Sequence, residues 1–192
     1  MTGMTSELVR PAAAEFLRVA HAVADLSAPT PCAGYDVRGL LNHLLYWGPW
    51  LAAAGRREDP PSPGVAETEA TLVTGDWRAT LEKQTETLVD VFGTPSAWSG
   101  MTTMGTAPMP ASVVGAMVLG EFVLHGWDLA RSSGRQLRST PEAATAVYES
   151  AVATGEQARS MGVYGPVVEV AADASPLERA LGASGRDPAW TP

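Results

Sequence analysis

Three residues of this chain have the types and spacing to share one piece of chemistry. Glu121 and His125 lie four apart in Gly120-Glu121-Phe122-Val123-Leu124-His125-Gly126-Trp127-Asp128, so on a helix their side chains stack on one face. The same face carries Val114, Met117, Val118, Leu124 and Leu129. A carboxylate inside an apolar stripe is either paired with a cation or bound to a metal. An i, i+4 Glu–His pair can also be a helix-stabilising hydrogen bond. His43 lies at the edge of a second stripe, Leu40, Leu44 and Trp47. Helices that aim polar atoms at a shared interior are how bundles build metal sites. His43, Glu121 and His125 would suit zinc, and also nickel or iron. Three protein ligands leave a position for water or substrate, as catalytic zinc sites do, whereas structural sites are usually closed by four. The alternative for each histidine is a packed residue at the edge of a helix face.

Other residues could join such a site. Asp128 follows His125 by three and could accept from its imidazole, or pair with Arg38 or Arg131. His21, on the first helix, could be a general base or a fourth ligand, or a plain surface histidine. Cys32 could be a soft ligand or a nucleophile. However, the helical stretch from Asp36 to His43 spans roughly 10 Å, which favours a packed, inert thiol. Trp47 and Trp50 could wall a pocket or fill the core. Met101, Met104 and Met109 could line an adaptable pocket mouth or fill gaps, and Trp127 reads as core.

The elements that must position these groups follow from periodicity and caps. Glu7 to Leu26 reads as a first helix, with Pro11 in its first turns. Ser27 to Tyr35 is a loop. Asp36 caps a second helix that runs to about Ala54, with a kink or break expected at Gly48-Pro49. Gly55 to Gly64 reads as a linker. Glu67 to Phe92 reads as a long third helix that Gly75-Asp76 could interrupt. Gly93 to Pro110 reads as an extended segment or short hairpin. A fourth helix covers Ala111 to about Ser132, with Gly134 as its stop. Thr140-Pro141 starts a fifth, ending near Met161. The tail from Gly162 to Pro192 is extended, with one short helix at Ser175-Pro176-Leu177-Glu178. The class is all-α: four long helices in a bundle plus an accessory helix.

The chain has 192 residues and a formal net charge of −8. That length reads as one domain, residues 1–192, with the bundle over about 6–161 and the tail over about 162–192. The acidic balance and the lack of a basic stripe disfavour nucleic acid. One cysteine, Cys32, rules out an internal disulfide framework and fits a reducing compartment. The N-terminus has no basic region followed by an apolar run, and apolar stretches look too short to span a membrane. A cytoplasmic protein is expected.

Two stretches resemble a known family. Thr30-Pro31-Cys32-Ala33-Gly34-Tyr35-Asp36-Val37-Arg38-Gly39-Leu40-Leu41-Asn42-His43 resembles the motif TPC-x-x-W-D-V-R-x-L-x-x-H. Glu121 through Arg131 resembles E-x-x-x-H-x-W-D-L-A-R. Both motifs belong to an actinobacterial metal-binding family related to the N-terminal domain of mycothiol-dependent maleylpyruvate isomerase, in the DinB-like superfamily. Tyr164-Gly165-Pro166 and Gly185-Arg186-Asp187-Pro188 are similar to the family's C-terminal end. Tyr35 replaces the family's Trp and keeps an aromatic ring. The resemblance implies that His43, Glu121 and His125 are the metal ligands and that the fold is a DinB-like four-helix bundle. It also suggests mycothiol as a cosubstrate, with the thiol activated at the metal for S-transfer or isomerisation of a small electrophile. The full isomerase has a second domain that this chain does not extend into, so the isomerase activity itself is not carried over. The alternatives are a metal-dependent hydrolase, with Asp128 or His21 as base, and a non-enzymatic, metal-stabilised binding module. The expected partners are small molecules, neither nucleic acid nor membrane, and a homodimer is left open.

Overall fold

The computed structural model describes residues 2–62, 64–105 and 107–192. Met1, Pro63 in the expected linker and Thr106 in the expected hairpin lie outside the described residues. The chain is mostly helical. Helix α1 covers Thr2–His21, α2 covers Val37–Arg56 and α3 covers Trp77–Phe92. A two-stranded antiparallel hairpin follows, β1 Met101–Met104 and β2 Ala107–Pro110, with Met101 opposite Pro110 and Thr102 opposite Met109. One helical run then contains α4 Ala111–Gly120, a π-helical segment Glu121–His125 and α5 Gly126–Ser132. Helix α6 covers Pro141–Ser160, and α7 covers Pro176–Ala183 in the tail.

The helices close on a core in which Phe16, Leu40, Leu41, Phe92, Leu119 and Leu129 are fully buried. Phe16 of α1 meets Phe122 of the π segment, with ring centroids 5.4 Å apart. Caps start the helices where the sequence places them. Asp36 accepts from Gly39 N at 2.7 Å, Thr140 from Ala143 N at 3.2 Å, and Ser175 forms a capping box with Glu178.

Several expectations are corrected. Helix α1 starts earlier and ends at His21, which puts Pro11 well inside it rather than in its first turns. Residues after His21 leave the helix for a different partner. The carbonyls of Leu26 and Ala28 accept from Arg38 N at 2.8 Å and Val37 N at 3.0 Å, satisfying free N–H groups at the start of α2. Helix α3 begins at Trp77, not Glu67, with Asp76 as its cap. Before it, residues 67–76 form a strap with a single 3₁₀ turn at Glu67–Glu69. Side chains of α2 hold its backbone. Asn42 Oδ1 accepts from Leu72 N at 2.8 Å, and Arg38 donates to Val73 O at 3.2 Å.

Helix α2 runs unbroken through Pro49. Proline lacks the N–H that would bond the carbonyl four residues back, here Leu45. Gln84 of α3 replaces it: its Nε2 donates to Leu45 O at 3.2 Å. Gly48 makes room for this, because a Cβ there would lie 2.9 Å from Gln84 Oε1. The run Ala111–Ser132 is long and apolar enough to cross a membrane by length and composition, contrary to the reading of short apolar stretches. In the fold, 72% of its most apolar window is buried, as in a core helix.

Candidate metal centre

His43 is supplied by α2, and Glu121 and His125 by the first and last positions of the π segment. A π turn widens a helix by one residue and frequently occurs at functional sites. The three side chains meet: their ligand atoms all lie within 4.8 Å of one another, and the two imidazole centroids are 5.3 Å apart. Glu121 Oε2 is 3.8 Å from His43 Nε2 and 3.6 Å from His125 Nε2, too far for hydrogen bonds. It is also buried with no hydrogen-bond partner among the described residues. A cation between the three would remove that deficit. Bonds of about 2.0–2.1 Å in tetrahedral geometry place neighbouring ligand atoms about 3.4 Å apart, close to the spacing seen.

Both imidazoles are oriented from behind. His43 Nδ1 is 2.9 Å from Glu67 Oε1, and His125 Nδ1 is 3.0 Å from Asp128 Oδ2. With Nδ1 donating to a carboxylate, each ring in its neutral form leaves Nε2 free to ligate on the side of Glu121, the arrangement in which metal-bound histidines are usually held. Glu67 also accepts from Trp47 Nε1 at 2.7 Å and from the Tyr35 hydroxyl at 3.0 Å. Burial pushes the Glu67 carboxyl up, but the bonds from Trp47 and His43 outweigh it and hold it below its usual range. Burial, reinforced by the Glu67 bond and charge, raises the Tyr35 phenol, so it stays a donor.

Asp128 is 0% exposed and Arg186, from the tail, is 6% exposed. Arg186 grips both carboxylate oxygens, with Nε–Oδ1 at 2.9 Å and Nη2–Oδ2 at 2.9 Å, and its Nη1 reaches Ser184 Oγ at 3.2 Å. Burial would raise Asp128, yet the Arg186 charge and the His125 bond keep its carboxyl low. For His125, burial acts downward and the charge of Glu121 and the bond to Asp128 act upward. In the metal-free site the net effect pushes it up to about 10.

Residues 9–130 match the family model described as the mycothiol maleylpyruvate isomerase N-terminal domain. The chain belongs to that family. No curated protein and no solved structure matches it. In this maleylpyruvate isomerase N-terminal-type chain, His43, Glu121 and His125 all fall inside the matched stretch, whereas Arg186 lies beyond it.

The other residues singled out in the sequence divide. His21 is away from the site, its Nε2 3.9 Å from Glu82 of α3. Asp128 does both things proposed for it, but its cation is Arg186. Arg38 instead bonds Val73 O, and Arg131 bonds Trp190 O. Cys32 is closer than the length of α2 suggested, because it approaches His125 rather than His43. Its thiol falls within 4.8 Å of ligand atoms of His125 and Asp128 and 3.8 Å from Arg186 Nη2. Trp47 serves the site through Glu67, and Trp127 is core. Met101 is exposed, and Met104 and Met109 pack at the edge of the core. Tyr35 brings a hydroxyl that a Trp lacks, and spends it on Glu67. Glu67 carries no local signal of its role, since its stretch reads as helix, and Arg186 lies in a tail motif 58 residues from the carboxylate it binds.

Proposed function

We propose that this domain is a divalent-metal centre, formed by His43, Glu121 and His125, that takes a low-molecular-weight thiol into its open position. The family's name points to mycothiol. The reaction class is S-transfer to, or isomerisation of, a small electrophile, and zinc fits the ligand set best, with nickel or iron as substitutes. The observation that carries the reading is the pair of imidazoles, each tied at Nδ1 to a carboxylate and each turning Nε2 toward the buried, unbonded Oε2 of Glu121. A divalent cation held there would favour a bound thiol as its thiolate, a nucleophile at neutral pH. Glu67 and Asp128 keep the two rings in the ligating tautomer, and Arg186 fixes Asp128. The same reading takes residues 6–161 as a DinB-like four-helix bundle, joined by the tail in one domain and working in the cytoplasm.

The groups named as bases for a hydrolase have other engagements. His21 faces Glu82, and Asp128 is enclosed by Arg186 and His125. This supports the thiol over activated water. The test is cobalt substitution followed by thiol titration. Thiolate coordination adds intense near-ultraviolet charge-transfer bands, which should grow as pH rises toward the free thiol value of about 8.5. A cobalt spectrum indifferent to mycothiol and simpler thiols would remove the thiol. Metal content unchanged in both His43→Ala and His125→Ala would remove the centre.

A further inference from the structure

Two side-chain atoms are buried with no hydrogen-bond partner among the described residues: Glu121 Oε2 and Gln84 Oε1. Both residues line one small, partly open cavity of about 20 Å³, together with Thr85 and apolar side chains such as Phe16, Leu44, Leu81 and Phe122. Gln84 cannot resolve its deficit by turning its amide over. Its Nε2 is committed to Leu45 O, the carbonyl that Pro49 leaves without a helical donor. A flip would set oxygen against oxygen and orphan Leu45 as well. The cavity therefore has two acceptors that no described donor reaches, and a volume that holds about one water molecule. A carboxylate oxygen has two lone pairs, so Oε2 can face the two imidazoles with one and the cavity with the other.

We propose that this cavity binds one ordered water that donates one hydrogen to Gln84 Oε1 and the other to Glu121 Oε2, making Gln84 a positioning residue for the Glu121 carboxylate. The water rests on the cavity and the two acceptors alone. Its effect on metal rests on the centre proposed above. Through it, α3, which contributes none of the three candidate ligands, sets the angle of one of them.

The experiment has two arms. A high-resolution crystal structure of the unsubstituted protein should show water density within hydrogen-bond distance of both oxygens. A dry cavity, or a Gln84 amide refined the other way round, overturns the proposal. In the second arm Pro49→Ala restores the backbone donor to Leu45, so that Gln84→Met can be made on that background without orphaning the carbonyl. Relative to the unsubstituted protein, the double variant should bind zinc about tenfold more weakly and shift the visible bands of its cobalt derivative, with the metal-free melting temperature little changed. Equal zinc affinity and superimposable cobalt spectra overturn the positioning role. Failure of the unsubstituted protein to bind zinc or cobalt would overturn the centre and Gln84's role in it, while the density alone still decides the water.

Discussion

At the level of single residues, the candidate centre depends on the protonation of His125. Without a cation this imidazole is pushed up to about 10, because Glu121 and Asp128 together outweigh its burial. Ligation needs the neutral ring, so metal uptake must expel a proton from it. The sign follows: below about 10, each unit of falling pH costs about a factor of ten in apparent metal affinity. Calorimetric titration of the metal-free protein near neutral pH, in buffers of different ionisation heat, should therefore return about one proton released per metal. A binding heat independent of the buffer would mean that His125 is already neutral or does not ligate.

At the level of elements, the helices meet closely where glycine permits it. A Cβ at Gly115 of α4 would lie 2.5 Å from the Trp98 ring, which is buried and tethered through Nε1 to Phe92 O at 2.8 Å. Gly115→Ala should thus lower stability by about 1–3 kcal/mol through overpacking, read from the urea midpoint; an unchanged midpoint would show that Trp98 can move aside. Much of this level could be read from the sequence. The stripes of α2 and α4 and the caps at Asp36, Thr140 and Ser175 are local signals, and they located His43, Glu121 and His125. The strap at residues 67–76 was not legible, since Asn42 and Arg38 hold its backbone from α2 and no periodicity within the strap records that. The straightness of α2 at Pro49 was hidden for the same reason: its remedy, Gln84, is 39 residues from the carbonyl it bonds. The π turn leaves no mark in the spacing of apolar residues.

At the level of the whole molecule, the tail is tied to the candidate centre by a buried ion pair whose members are 58 residues apart. A separation of that size cannot be inferred from charge pattern, which points Asp128 to the nearer Arg131 instead. Removing one partner strands the other in the interior. Arg186→Met should therefore cost about 3–5 kcal/mol in chemical denaturation, and adding Asp128→Asn should recover part of it. A loss under about 1 kcal/mol would mean that Asp128 simply takes up a proton or water. The apolar core joins α1 through α7 and is built from side chains other than the three candidate ligands. Chelation should accordingly lower the melting temperature, by the equivalent of about 2.7 kcal/mol for metal at a hundred times its Kd, yet leave helical circular dichroism intact at room temperature. Collapse of that signal would make the metal a folding requirement.

The π segment gives this architecture an unusual kind of fragility. A π turn is an α-helix holding one residue too many, so loss of a single codon within 121–125 would return the run from Ala111 to plain α periodicity. The widened turn absorbs its extra residue locally, so the helix from Gly126 onward would keep its place, and what would change is the spacing of the two candidate ligands, Glu121 and His125 becoming three apart instead of four. A deletion of Val123 should keep its far-ultraviolet helical spectrum and lose metal; retained metal would show the widened turn to be incidental. Read in reverse, the gain of one residue in an ordinary core helix is a single genetic step that can re-space two ligands while leaving the helix on either side where it was.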